Sequence, residues 1–224
     1  TRTLGSLTQV RFSARGEVTD YDLAAAFTVF RASVTHDARD SYFSPRRGIM
    51  VSANVEESGW LLASQRELLK LYAEARAYFP VPWLDPGAVR VAAGSLWRLS
   101  GDAPVPEFRR FFAGGAGSVR GWSYNELGPH TAGGKPQGGR SLVELNLAVR
   151  PHLFGPLAAA LFLDGGNVGR RYGAFDLREM GLGAGVGLRY QTPVGPLRGD
   201  VARPLTDTPH SSGWHYYLSF GQAF

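Results

Sequence analysis

The sequence predicts an all-β fold of about ten antiparallel strands. Apolar and polar residues alternate with a period of two along most of the chain. The connections between alternating segments are mostly short and contain Gly, Pro, Asp or Ser, as β-hairpins require. The predicted strands are centred near residues 10, 30, 52, 73, 94, 145, 161, 186, 200 and 219.

The alternation is clearest in the second half of the chain. In SLVELNLAVR, Leu145 and Leu147 lie on one face of the predicted strand, whereas Glu144 and Asn146 lie on the other. In PLAAALFLDGG, Asp164 lies opposite a face of leucines and alanine. LGAGVGLRY and WHYYLSFGQAF alternate in the same way, as do IMVSANVE, VRVAAGSLW and, more weakly, TQVRFSAR.

One segment, SQRELLKLYAEARAYF, fits two structures. Ser64 and Glu67 form a capping-box pattern that suits an amphipathic helix. As a strand, the segment places leucines and alanines on one face and Lys70, Glu74 and the tyrosines on the other. Because its neighbours are all predicted strands, the sequence favours a strand here.

Composition excludes several classes of function. The chain has 224 residues and no cysteine, which rules out a disulfide framework, a thiolate metal site and a cysteine nucleophile. It contains no apolar run of roughly 18 to 20 residues and no basic-then-apolar leader at its start. The net charge is +5, but the arginines are scattered, so nucleic-acid binding is not expected. Hydrolase, nucleotide-binding and metal motifs are missing, so no enzyme activity and no cofactor are expected.

Alternation alone fits two architectures. A soluble β-sandwich buries its apolar face, whereas an outer-membrane barrel turns that face to lipid and its polar face to the lumen. Aromatic residues near the predicted strand ends favour the barrel, because interfacial girdles belong there. These residues are Trp60, Tyr78, Phe79, Trp83, Trp97, Tyr190, Trp214 and Phe224.

A long Gly- and Pro-rich loop, residues 100–139, interrupts the short connections. It contains FFAGGAGSVRGWSYNELGP, in which Arg120 stands alone among glycines. If this loop folds into a barrel, the guanidinium needs carboxylate partners, and Glu144 and Asp164 face inward on the strands just downstream. Without further information, a solvated arginine on a mobile loop is the simpler interpretation.

The loop resembles the signature loop of the BamA and TamA barrels. These belong to a superfamily of outer-membrane assembly and translocation proteins that also contains the two-partner secretion transporters. Further segments resemble the same family in order. HDARDSYFSPRRG is similar to its Asp-Pro-Gly turn, FLDGG to its aromatic-x-Asp-x-Gly strand motif, TPVGPLRGDVARPL to its penultimate hairpin and YYLSFGQAF to its terminal strand. The FFAGG lead-in and the short spacings are most similar to TamA.

The resemblance implies two sets of site residues. In this family the loop folds back into the barrel, and its arginine pairs with acids on the inner wall. The implied loop anchor is Val119, Arg120, Gly121 and Trp122. Its implied lumen partners are Asp164, Glu144 as a second acid, and Gly166. The implied assembly signal on the terminal strand is Tyr216, Phe220, Gly221 and Phe224.

The resemblance also implies a function. It indicates a transmembrane β-barrel in the bacterial outer membrane that inserts or translocates other proteins without a cofactor. The alternative is the pore of a two-partner or patatin-type exporter, or a plain channel. The implied partners are membrane lipids, client outer-membrane or secreted proteins, and a partner that spans the periplasm.

The resemblance also indicates how much of a family barrel this sequence represents. Family barrels have sixteen strands preceded by POTRA domains, and the motifs here align with the last ten strands. Residues 1–224 are therefore expected to be one barrel domain, either the C-terminal part of a longer protein or a reduced natural form.

Overall fold

Strands make up most of the computed structural model, which describes residues 7–19, 25–59, 67–100, 104–175, 177–193, 195–206 and 212–221. The strands are β1 Leu7–Thr19, β2 Ala25–Asp37, β3 Gly48–Ser58, β4 Glu67–Phe79, β5 Gly87–Ser100, β6 Ser141–Val149, β7 His152–Phe154, β8 Leu157–Gly169, β9 Gly181–Thr192, β10 Gly195–Pro204 and β11 His215–Phe220. Two short 3-10 helices span Glu107–Arg109 and Leu177–Glu179. Within the described ranges, no helix is both long and apolar enough to cross a membrane.

The strands form one antiparallel sheet that follows the order of the chain. Its order is β1-β2-β3-β4-β5-β6-β8-β9-β10-β11, and the short β7 pairs with β8. The all-β antiparallel prediction is confirmed, and each predicted strand centre falls inside an observed strand. Residues 67–79 of the ambiguous segment form strand β4 rather than a helix. Strand β7 was not predicted.

The two faces of the sheet are inverted relative to a water-soluble protein. On β6, Glu144 and Asn146 are buried, whereas Leu145 and Leu147 are exposed. Large apolar side chains project outward from most strands, and the buried polar set contains Glu74, Arg90, Glu144, Asp164, Arg189, Arg198 and Asp200. An apolar outer face and a charged inner face are the arrangement of a membrane barrel, in which lipid covers the outside.

Because consecutive strands are antiparallel, their connections alternate between two ends of the sheet. Among the described residues, the turn end carries residues 38–47, 80–86, 150–156 and 193. The loop end carries residues 104–140 together with residues 170–175, 177–180, 205–206 and 212–214. Outer-membrane barrels have short turns at the periplasmic end and long loops at the extracellular end, so the loop end corresponds to the cell surface.

The β2–β3 turn, residues 38–47, folds across the turn end. Arg39 is held by Asp37, to which its Nε and Nη2 donate at 2.9 and 2.7 Å. From the end of β6, Arg150 Nη2 donates to the Pro45 carbonyl at 2.9 Å. Burial lowers the pKa of Arg150 to about 10. This turn thereby connects the β2–β3 hairpin to the far side of the lumen.

The predicted aromatic girdle is partly wrong. Tyr78 faces the lumen, where its ring lies 5.5 Å from the Arg150 guanidinium and only 4% of the residue is exposed. Phe79, Trp83 and Tyr190 are exposed at the turn end, as the girdle requires. Trp214 is exposed at the loop end and Trp97 is partly buried, while Trp60 and Phe224 lie outside the described residues.

Candidate functional site

The described part of the long loop, residues 104–140, packs against the inner face of the sheet and forms most of the apolar core there. Isolated bridges between Phe111 and Gly139 and between Ala113 and Leu127 fold the loop back on itself. The principal core cluster joins loop residues to wall residues Leu68, Leu96, Leu142 and Val168. Its loop members are Val105, Phe111, Ala113, Val119, Trp122 and Leu127.

Glycines of the wall let the loop approach closely. A Cβ added to Gly183 of β9 would overlap the carbonyl oxygen of Arg120. A Cβ on Gly166 of β8 would stand 2.7 Å from a methyl group of Val119. Within the loop, Gly121 has φ +111°, a conformation that favours glycine. Val119 and Trp122 are fully buried against this surface.

Arg120 reaches the inner wall at Asp164. Its Nε donates to Oδ2 at 2.6 Å and its Nη2 to Oδ1 at 2.9 Å, a bidentate pair. The Arg120 backbone N–H also donates to Oδ2, at 3.1 Å. The guanidinium lies 3.4 Å from the centroid of the Phe162 ring, within cation–π range. Arg120 and Asp164 are 1% and 0% exposed.

The second acid near Arg120 is Asp200 of β10, whereas the sequence suggested Glu144. Arg120 Nη1 lies 3.5 Å from Asp200 Oδ2. Arg189 Nη1 donates to Asp200 Oδ1 at 2.6 Å, and Arg198 Nε lies 3.4 Å from Oδ2. Three arginines thus surround two aspartates. We call Arg120, Asp164, Asp200, Arg189 and Arg198 the Arg120 cluster.

Glu144 belongs to a separate group on strands β4 to β6, directly beside β8 in the sheet. Arg90 of β5 donates to Glu144 at 2.8 Å, to Glu74 at 2.8 Å and to Asn146 at 2.9 Å. Glu144 also accepts a hydrogen bond from the Ser118 hydroxyl, and Asn146 Nδ2 donates to the Ser118 carbonyl at 2.7 Å. We call Glu74, Arg90, Glu144 and Asn146 the Glu144 cluster. Glu144 thus contacts the loop through Ser118, and its cationic partner is Arg90 of the neighbouring strand rather than Arg120.

Residues 14–224 match the family model for the Omp85 superfamily domain. The chain belongs to the Omp85 superfamily. A curated relative, the outer membrane protein assembly factor BamA of Nitratidesulfovibrio vulgaris, is 28% identical over 209 residues, which cover 88% of this chain and 26% of the relative. The chain thus spans about a quarter of that protein.

A solved structure gives the same fold. It is the crystal structure of BamA from Haemophilus ducreyi lacking POTRA domains 1–3, with a TM-score of 0.71 and 18% identity. The match covers 89% of this chain and 42% of that one. The predicted location in the bacterial outer membrane and the prediction of a non-enzymatic protein both agree with membership of this superfamily.

The terminal hairpin of this Omp85 domain also contacts the loop. Tyr217 on β11 accepts a hydrogen bond from the Gly121 N–H at 2.9 Å and donates one to the Trp122 carbonyl at 2.8 Å. Arg198 Nη2 donates to the Ala116 carbonyl at 2.7 Å. Sequence reasoning missed both residues, although the period of two already placed Tyr217 on the inward face.

The predicted terminal signal lies on the outward face. Tyr216 and Phe220 are 74% and 58% exposed. Gly221 has φ +90° and follows the last paired residue of β11. Phe224 lies outside the described residues. The loop residues Val119 to Trp122 are therefore brought together with Asp164 and Gly166. Tyr216 and Phe220 lie on the outward face, and Gly221 lines a cavity at the turn end.

Proposed function

We propose that this Omp85 domain is the C-terminal part of a barrel that inserts or translocates other proteins at the outer membrane. In this proposal Arg120 anchors the loop in the lumen. The observation that carries it is the buried bidentate pair between Arg120 on the loop and Asp164 on the wall. The name of the curated relative, an assembly factor, supports client proteins as the partners.

The Arg120 pair serves to select one arrangement of the loop. A buried ion pair adds little net stability, because desolvation offsets its attraction, but removing one partner leaves a buried charge and is costly. In this proposal the loop is thus held in a single position against the inner face of the sheet. Clients are then handled at the edges of the sheet and in the bilayer beside it.

The edge strands supply the surface for a client. Among the described residues, β1 pairs only with β2, and β11 pairs only with β10. An edge strand offers backbone N–H and C=O groups that can pair with an incoming strand. Residues of both edges, Leu7 and Gly221, line one cavity of about 660 Å³ at the turn end. This mechanism needs membrane lipid and a client strand but no cofactor.

We also propose that this domain belongs to a TamA-like protein, which works with a partner that spans the periplasm. The FFAGG lead-in and the short spacings of the loop support it, whereas the curated relative is a BamA. The two differ in the domains that precede the barrel. Sequencing the gene upstream of residue 1 and counting its POTRA domains decides between them.

The test uses the full-length protein in liposomes. Arg120→Lys and Asp164→Asn should each reduce the rate of client insertion by about tenfold, because a bidentate charged pair is lost. Arg47→Ala is the matched control, since Arg47 is an exposed arginine of the β2–β3 turn. Client insertion at the control rate in both variants, with the loop still resistant to protease, would remove the anchoring role.

The same samples distinguish the secretion pore. In planar bilayers an exporter or channel should conduct more when residues 104–140 are replaced by a short Gly-Ser linker. An assembly barrel should instead lose client insertion in that variant. Increased conductance in this variant, together with no client insertion by the unaltered protein, would refute the assembly function and support the pore.

A further inference from the structure

Among the described residues, the terminal strand β11 has the shortest ladder of the consecutive strands. Its pairing with β10 runs from Leu197↔Phe220 to Ala202↔His215, which is six positions, and the Gly221 N–H donates one further bond to the Pro196 carbonyl. Every other pair along the main order spans at least nine positions. On its other side, β11 has no ladder among the described residues. Backbone pairing therefore holds β11 more weakly than it holds the other strands of the main order.

The lumen loop supplies additional contacts to this strand. The Tyr217 hydroxyl makes two hydrogen bonds with one turn of the loop, at the Gly121 N–H and the Trp122 carbonyl. These two residues directly follow Arg120, the residue that binds Asp164 on β8. The bonds from β11 and from β8 thus converge on three consecutive residues of the loop.

Arg198 of β10 makes a second connection between the same parts. Its Nη2 donates to the Ala116 carbonyl of the loop at 2.7 Å, and its Nε donates to the Ser219 hydroxyl of β11 at 2.8 Å. One guanidinium therefore joins the loop, the penultimate strand and the terminal strand. Its planar set of donors suits it to bind several acceptors at once.

We propose that Tyr217 is a positioning residue that couples the lumen loop to β11, so that loop docking and terminal-strand pairing are gained and lost together. When β11 separates from β10, Tyr217 moves with it and the loop loses two hydrogen bonds. When the loop leaves the wall, β11 loses the same bonds and keeps only its short ladder. By thermodynamic linkage, the two effects are equal in size.

This inference deepens the proposed function and rests on it for its biological meaning. A client strand that displaces β11 from its neighbour would release the loop at the same time. Displacement of β11 at the edge of the sheet thereby releases the loop from the inner wall without a chemical step.

The first experiment is hydrogen–deuterium exchange on the full-length protein in lipid nanodiscs, without a client. Tyr217→Phe removes only the hydroxyl and should raise the exchange rate of both residues 118–122 and residues 215–220 by about tenfold, since two hydrogen bonds are lost. The matched control is Tyr216→Phe, because Tyr216 is adjacent in sequence and faces outward. It should leave both regions unchanged.

The second experiment tests coupling at a distance. Asp164 lies on β8, and β9 and β10 separate it from β11. Asp164→Asn weakens the contact between Arg120 of the loop and β8. It should therefore raise the exchange rate of residues 215–220. A purely local role for Tyr217 predicts no change there.

The inference is overturned if Tyr217→Phe changes only one of the two regions, or if Asp164→Asn leaves β11 protected. A uniform rise in exchange across β3 to β5 as well would also overturn it, because the effect would be general destabilisation. Exchange needs no client, so coupled exchange in a protein that inserts no client would contradict the proposed function and leave the coupling standing.

Discussion

The two clusters that hold the loop differ in whether the charged groups come from the wall strands or from the loop itself. In the Glu144 cluster, both acids and Arg90 belong to the wall, and the loop adds only the hydroxyl and carbonyl of Ser118. In the Arg120 cluster, the loop supplies the cation that satisfies Asp164. The Glu144 cluster is therefore complete without the loop, whereas Asp164 depends on it. The Arg120 cluster, on strands β8 to β10, is therefore the one that favours the docked position of the loop.

The largest effect should come from Arg120→Ala. It leaves Asp164 buried without its bidentate partner, which costs about 3–5 kcal/mol for a buried pair. Denaturant unfolding of the folded protein in detergent measures this loss. The Arg120→Ala/Asp164→Ala double variant should recover part of it. A single-variant loss under about 1 kcal/mol would show that the pair is solvated.

A smaller effect is expected from Gly183→Ala. The new methyl group would overlap the Arg120 carbonyl, so the loop must shift at a cost of about 1–3 kcal/mol. Gly199→Ala on β10 is the matched control, because nothing lies within 4 Å of the added Cβ. Protease cleavage of the loop, measured at several protease concentrations, should increase only in the Gly183 variant. Equal cleavage of both variants would contradict the close approach.

The smallest effect should come from Ser118→Ala. It removes the hydrogen bond to Glu144 and the one accepted from the Gly114 N–H, but Arg90 still satisfies the carboxylate, so the loss should be about 1–2 kcal/mol. The same unfolding measurement checks it. A loss as large as that of Arg120→Ala would mean that the two clusters contribute equally and would remove the asymmetry between them.

The strands and their faces could be predicted from the sequence because a period of two is a local property. It assigns Glu144, Asp164 and Tyr217 to the inner face without knowledge of the fold. It does not give the order of the strands in space, and that order decides which acid a loop arginine can reach. Arg120 contacts β8 and β10, so Asp200 lies within reach, whereas Glu144 on β6 is paired with Arg90.

The error at Tyr78 has a related cause. Its position near the end of β4 suggested a membrane girdle, although the period of two placed it on the same inward face as Glu74. Tyr78 is buried beneath Arg150 because it lies on the inward face of β4, even though it stands near the end of that strand. Facing direction is therefore the stronger signal, because a side chain cannot change sides of a strand without a register shift.

The apolar core of this domain consists largely of one loop, and this affects the temperature dependence of its release. When the loop leaves the lumen, side chains such as Val119, Trp122 and Leu127 lose their burial, as they would in partial unfolding. Exposure of apolar surface to water raises the heat capacity. The enthalpy of loop release should therefore increase with temperature, whereas a hinged lid with a polar underside would show little such change.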